Sequence, residues 1–269
     1  MTHWKIGLPM YSGCAPSDHR LLVSRIVEGL RSGGWNEPVE VVEAPDDLHA
    51  FWRRADLLLG QACGYPLVTQ LAGQVRLLGT AHYDFPGCSG FWYSSHILVA
   101  ERAGARSLAD LRGARAVFNQ RDSQSGMNAL RHAIAPLALH GRFFSSVAES
   151  GSHRASLQMV ADGHADVAAV DCVTYGYLAL HAPNALASLR ILCRTAPTAG
   201  LPLITSSSVD DATAALLRQV LAQVFTTDPA DAPAARLRIG GFTATRLADY
   251  ESILAAQTLA HDFAYPELA

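Results

Sequence analysis

The chain has 269 residues, 49% hydrophobic and 17% charged, which is the composition of an ordinary globular protein with room for one large domain or two lobes. Lys+Arg 21 against Asp+Glu 24 leaves a net charge of −3, so there is no electrostatic case for a nucleic acid or an anionic membrane as partner. No apolar run approaches the roughly 20 residues of a membrane span, and membrane insertion is not expected.

In chain order, Trp4 to Tyr11 alternates with Ile6, Leu8 and Met10 on one side and reads as a strand. No basic segment followed by a long apolar run precedes it, so the sequence as written reads as cytoplasmic, or periplasmic if a leader is missing from it. Five dispersed cysteines without a C-x-x-C pair suit a reducing compartment and argue against a disulfide framework or a zinc knuckle. Ser17 or Asp18 is placed to cap a helix carrying Val23, Ile26, Val27 and Leu30, stopped at Gly33-Gly34. Strands follow at Val39–Val42, Leu57–Leu59 and Val75–Leu78. Short helices start at Asp46-Asp47 and after Cys63-Gly64-Tyr65-Pro66. A turn-rich bridge spans 83–90, and Trp92–Ala100 reads as one long strand. Ser107–Leu111 is a small helix. Ala116–Phe118 is a buried strand, and Ser152–Ala161 a helix. Val167–Val170 is a buried strand ending at Asp171, followed by a helix at Tyr175–Leu180 and a strand at Leu189–Cys193. A second bridge at 194–202 leads to a short strand at Leu203-Ile204, then to helices at Ala214–Phe225 and Leu247–Leu259.

Alternating strands and helices predict an α/β fold with parallel sheets covered on both faces. The two bridges divide the chain into one lobe of 1–85 with 200–269 and a second of 86–199. In such sheets ligands lie beyond the carboxyl ends of strands. Tyr11, Cys63 to Tyr65, Ser123 to Gly126 and Asp171 all fall there.

The stretch Arg115 to Leu130 passes from strand to polar turn to helix, with Met127, Leu130, Ile134 and Leu137 at helical spacing. Ser123 and Ser125 therefore sit where backbone N–H groups lack intrahelical partners and the helix dipole is positive. Two hydroxyls and Gly126 make this an anion site, or else a serine N-cap with no further role. His153 follows Ser150-Gly151-Ser152 at another helix start, where it either donates to an anion or is a surface histidine. Asp171 either needs donors at a poorly solvated strand end or caps the next turn. Ser125, His153 and Asp171 are also the residue types of a hydrolase triad, but Ser125 lacks a G-x-S-x-G elbow. Nor is there an H-E-x-x-H, a G-x-x-x-x-G-K or a G-x-G-x-x-G, so no metal or nucleotide cofactor is expected.

Asn119-Gln120-Arg121-Asp122-Ser123-Gln124-Ser125-Gly126 resembles the N-x-x-x-S-x-S-G signature of the phosphate/phosphite/phosphonate-binding proteins of ABC importers. Ser150-Gly151-Ser152-His153 and Gly163-His164-Ala165-Asp166-Val167-Ala168-Ala169-Val170-Asp171 resemble two further segments of that family, as does Tyr93-Ser94-Ser95 before its strand. The resemblance implies a type II periplasmic-binding-protein fold, with two α/β lobes and a ligand cleft between them. It implies a non-catalytic solute-binding protein for a small oxyanion, most simply phosphate, phosphite or a phosphonate, with an ABC permease as partner. Ser123, Ser125 and Gly126 would hold the oxyanion, His153 would donate to it and Asp171 would accept from a protonated oxygen. Tyr93 would line the cleft, and Tyr11 and Tyr65 would close over the ligand with Cys63 nearby. The alternative is a cytosolic small-molecule enzyme or ligand sensor on the same fold, using His153, Asp171 or Cys63 as acid, base or nucleophile.

Overall fold

The structure is a computed structural model and describes residues 3–226 and 232–269. In chain order the strands are β1 (Trp4–Gly7), β2 (Val39–Val41), β3 (Leu57–Gln61), β4 (Val75–Tyr83), β5 (Cys88–Ser89), β6 (Trp92–Tyr93), β7 (Ser95–Ala100), β8 (Arg115–Phe118), β9 (Ser146–Glu149), β10 (Val167–Asp171), β11 (Leu189–Arg194), β12 (Thr198–Ala199), β13 (Pro202–Ser206) and β14 (Ile239–Thr243). The α-helices are α1 (Pro16–Ser32), α2 (Leu48–Trp52), α3 (Gly64–Thr69), α4 (Ala129–Ile134), α5 (His153–Ala161), α6 (Cys172–His181), α7 (Asp211–Thr226), α8 (Pro233–Arg236) and α9 (Glu251–Asp262).

The chain forms two compact units. Unit 1 comprises Met1–Asp84, Cys88–Trp92 and Ala199–Asp249; unit 2 comprises Phe85–Gly87, Tyr93–Thr198 and Tyr250–Ala269. Both are α/β. The sequence reading put all of 200–269 in the first lobe, whereas Tyr250–Ala269 makes its contacts in unit 2. There Ala260 and Tyr265 are fully buried in the same apolar cluster as Ile97, Leu130 and Phe143. The backbone N–H groups of Phe143 and Phe144 donate to Ala269 O.

Unit 1 holds a six-stranded sheet in the order β14-β4-β13-β3-β1-β2, and unit 2 a five-stranded sheet in the order β11-β7-β10-β8-β9. The expected purely parallel sheets are corrected to mixed ones. Strand β1 runs parallel to β2 and β3, and β8 parallel to β9 and β10. Strand β13 is antiparallel to β3 and β4, and β7 antiparallel to β10 and β11. The edge strand β14 is also antiparallel, to β4; β13 and β7 each stand between two strands that share a direction. Each also follows a passage of the chain from one unit to the other, so it enters its sheet without a helical crossover. A buried apolar run looks the same in either direction, and the sequence pattern does not encode the reversal.

Four strands escaped the pattern, among them the two-residue β5 and β12, which lie in the stretches read as bridges. Strand β9 is an edge strand whose residues are mostly exposed, and β14 carries Gly240 and Gly241. The long strand expected over 92–100 is broken at Ser94, whose N–H donates to Gly87 O rather than into the sheet. The side chains of β7 and β10 alternate between two cores. Ile97, Val99, Val167 and Ala169 face one, and Leu98, Ala168 and Val170 the other. These are all buried, each large aliphatic side chain contributing about 1.5–3 kcal/mol, and they hold the ends of β8 and β10 in place.

Candidate functional site

The turn after β8 is built by its polar residues. Ser123 is an N-cap whose Oγ accepts from the Gly126 N–H at 3.0 Å. That is the capping role weighed for it, and its own O–H is left to donate. Gln124–Asn128 then forms a π-helical turn that runs into α4, so the helix expected from Met127 begins three residues earlier and in a wider form. π-turns are rare and frequent at functional sites. Residue 126 must be glycine here. A Cβ would lie 1.9 Å from Asn119 Oδ1 and 3.2 Å from His153 Cε1.

The loop before α5 is fixed by Ser150, whose hydroxyl lies 2.7 Å from Ser156 Oγ and whose N–H donates to Phe118 O. Ser152 caps α5 by accepting from Ala155 N. This loop delivers His153 at the first position of α5. At the end of β10, Asp171 accepts from Thr174 N through Oδ1 at 2.8 Å and so caps α6. Its second oxygen, Oδ2, lies 3.3 Å from His153 Nε2. Ser125 Oγ lies 2.9 Å from the same nitrogen.

Three polar side chains thus converge on one buried point, with Ser125 7% and Asp171 2% exposed. The charged form of Asp171 can only accept, so the tautomer that satisfies it carries its proton on Nε2. His153 Nδ1 is buried and has no hydrogen-bond partner. Burial pushes the His153 pKa down, against a weaker upward pull from Asp171, so the ring is neutral. A serine-protease relay needs the carboxylate on Nδ1 and the hydroxyl on Nε2, passing a proton through the ring. Here both meet Nε2, and no relay exists. The arrangement instead presents a hydroxyl, an imidazole and a carboxylate to one group.

Tyr93 also lies in unit 2, buried in β6 just before Ser94. The remaining expected residues are in unit 1. Tyr11 is buried with its ring edge-on to Tyr83 at 5.2 Å. Cys63 is the buried N-cap residue of α3, and Tyr65 sits in the first turn of that helix. The five cysteines, all among the described residues, are not joined by disulfides.

Sequence reasoning gave no role to Asn119, whose side chain packs against Gly126, nor to Gln124, Asn128 and Arg131. The last three carry a signal that was available: they recur at i, i+4 and i+7, a polar stripe on an otherwise apolar helix. All three are buried and linked. Asn128 Nδ2 donates to Gln124 Oε1 at 2.7 Å and to Ile253 O at 3.2 Å.

Two mixed α/β units, each with a reversed strand inside its sheet, and a serine turn beside a histidine and a carboxylate define a protein of the type II periplasmic-binding-protein fold. The chain belongs to the family of ABC-transporter phosphonate periplasmic substrate-binding proteins, whose model matches residues 45–250. This is a family of transporter substrate-binding proteins and not of enzymes. No curated protein matches the chain. Among solved structures, XAC2383 from Xanthomonas citri, bound to ATP, is 18% identical with a TM-score of 0.73, over 98% of this chain and 98% of that one. PhnD1 from Prochlorococcus marinus, in complex with methylphosphonate, is 14% identical with a TM-score of 0.77, over 95% of this chain and 97% of that one. A binding-protein component of an ABC phosphonate transporter from Pseudomonas aeruginosa is 15% identical with a TM-score of 0.71, over 97% and 88%. Among the described residues, no helix is long and apolar enough to cross a membrane.

Proposed function

We propose that this chain binds a small phosphorus oxyanion bearing at least one P–OH group, namely monoprotonated phosphate, phosphite or a phosphonate, and presents it to an ABC permease in the periplasm. The observation that carries the reading is the convergence of Ser125 Oγ and Asp171 Oδ2 on His153 Nε2. A carboxylate beside an oxyanion repels it unless a proton lies between them. Asp171 therefore selects a ligand that brings its own proton. Sulfate has none at neutral pH and would leave a buried charged acceptor facing a like charge, enough for tenfold or greater discrimination.

In this reading Ser123 and Ser125 donate their hydroxyls, Gly126 allows close approach of the backbone, and His153 donates from Nε2. Tyr93 is a further contact in the same unit. The family match and the phosphonate-transport neighbours support the ligand class.

The test is a thermal-shift and calorimetric screen of the whole chain against phosphate, phosphite, methylphosphonate and sulfate. A ligand at a hundred times its dissociation constant adds about 2.7 kcal/mol of stability. A shift with a P–OH compound and none with sulfate is the expected result. Equal shifts with sulfate would overturn the role of Asp171, and silence with every phosphorus oxyanion would overturn the ligand.

A further inference from the structure

Histidines apart, two charged side chains are buried among the described residues, Asp171 and Arg131. Asp171 belongs to the cluster above. Arg131 is 4% exposed on α4 and, among the described residues, its hydrogen-bond partners include no carboxylate. Its Nη2 donates to Asn128 Oδ1 and its Nη1 to Pro266 O, both at 2.6 Å, and both acceptors are neutral. Its Nε is buried and donates to nothing. A buried guanidinium with only neutral acceptors is expensive, because its hydration is lost and no opposite charge replaces it.

The position of this charge is specific. Arg131 stands six residues after Ser125 on a continuous helical segment, roughly 9 Å along the axis at about 1.5 Å per residue. It is tied to the serine turn by hydrogen bonds running from Arg131 to Asn128 to Gln124. Pro266 O and Ile253 O hold the other side of that chain, so the segment 250–269 fixes the guanidinium where it is.

We propose that Arg131 is a positioning residue that acts as the buried counter-charge of the bound oxyanion: without touching the ligand, it offsets Asp171 and leaves the turn at Ser123–Gly126 net attractive to an anion. This rests on the oxyanion reading above and deepens it. A site holding Asp171 alone would bind its anion against one full negative charge. With Arg131 the two fixed charges cancel, and the anion sees the hydroxyls, the imidazole and the helix dipole. At low internal dielectric such a charge acts across this distance without contact.

The experiment titrates phosphate and methylphosphonate into the wild-type chain and into Arg131→Lys, Arg131→Gln and Arg131→Met, with the thermal midpoint of each ligand-free variant measured beside it. Arg131→Lys keeps the charge and is expected to bind within about threefold of wild type, while Arg131→Gln and Arg131→Met bind about tenfold or more weakly. The ligand-free midpoints of the two neutral variants are expected at or above that of Arg131→Lys, because an uncompensated charge has been removed. A merely structural arginine would give the opposite order, with the neutral variants least stable and affinity unchanged in whatever folds. Neutral variants that bind like wild type overturn the proposal, as does equal loss in Arg131→Lys and Arg131→Gln. A wild-type chain that binds neither probe overturns the oxyanion reading itself, an outcome distinct from binding that ignores residue 131.

Discussion

Asn119 and Gly126 share one volume: the amide oxygen of Asn119 lies where a side chain at position 126 would begin, 1.9 Å from an ideal Cβ. Asn119 Oδ1 is buried and accepts no hydrogen bond, so it acts there as a wedge. Gly126→Ala is therefore expected to displace either the amide or the turn, costing about 1–3 kcal/mol of stability and weakening phosphate binding. Adding Asn119→Ala should recover part of both losses. Urea melts and calorimetry of the two singles and the double give the coupling, and a simple sum of the two single effects would refute the shared volume.

Asp171→Asn is expected to invert the anion preference. The amide can donate where the carboxylate could only accept, so sulfate, which the proposed site excludes, should bind, while phosphate weakens about tenfold. Competition titrations with the two anions at neutral pH read this directly. Unchanged rejection of sulfate would mean that Asp171 only caps α6.

Ser125→Ala should lower phosphate affinity by a factor of about ten, corresponding to about 1.4 kcal/mol. Its thermal midpoint without ligand should hardly move, because the hydroxyl meets only His153 among the described residues. A large fall in the ligand-free midpoint would mark this serine as structural.

The pH dependence of stability carries the signature of His96. It is 1% exposed on β7, edge-on to Tyr175 at 4.9 Å, with Nδ1 unpartnered. Burial, aided by Arg194 and opposed by Asp171, lowers its pKa to about 4. The unfolded chain binds the proton near the ordinary value of about 6.5, so between those limits the unfolded state holds more protons. Stability is full above the upper limit and falls as pH drops toward the lower, by at most about 1.4 kcal/mol per pH unit for one proton. His153, lowered in the same direction, adds to the slope. His96→Phe should flatten the profile between about pH 6.5 and 4; an unchanged slope would assign the titration to other groups.

Gly176 on α6 presents a packing limit of a different kind. A Cβ there would stand 2.2 Å from Phe85 Cδ1, and Phe85 is itself locked edge-on to Tyr177 at 5.0 Å. Gly176→Ala should gain helix propensity of about 1 kcal/mol and lose more to overpacking, typically 1–3 kcal/mol. Chemical melts should show a net loss, and Phe85→Leu in the same chain should return it.

Much of this was legible in the sequence because it rests on local chemistry. Val167–Val170 reads as a buried strand because it is an uninterrupted apolar run, and Ser152 as a cap because a helix-spaced run follows it. Ser125, His153 and Asp171 could be nominated because each sits at the end of such an element. The distances between them could not be read, since 28 residues of chain separate Ser125 from His153 and periodicity says nothing about three-dimensional closure. Nor could the shared use of Nε2, which separates this cluster from a hydrolase relay. Strand β14 was hidden by Gly240 and Gly241, whose missing side chains erase the alternation. The reversal of β7 and β13 was invisible because apolar runs carry no direction. Arg131 was passed over as an ordinary helical arginine, because burial of a charge is a tertiary fact.

The placement of β13 has a consequence for how the chain is made. This strand lies between β3 and β4, so the chain synthesised as far as Tyr83 contains four strands of unit 1 but lacks the one that joins two of them. Until Pro202–Ser206 is synthesised, Leu57–Gln61 and Val75–Tyr83 both present unpaired edges, the kind of surface that recruits chaperones or other nascent chains. The middle of the chain, by contrast, has all five strands of its sheet by Arg194 and waits only for the last helix to close its core. Synthesis therefore delivers the two units out of register with their order in the sequence: the segment that starts first is the one whose sheet is completed last.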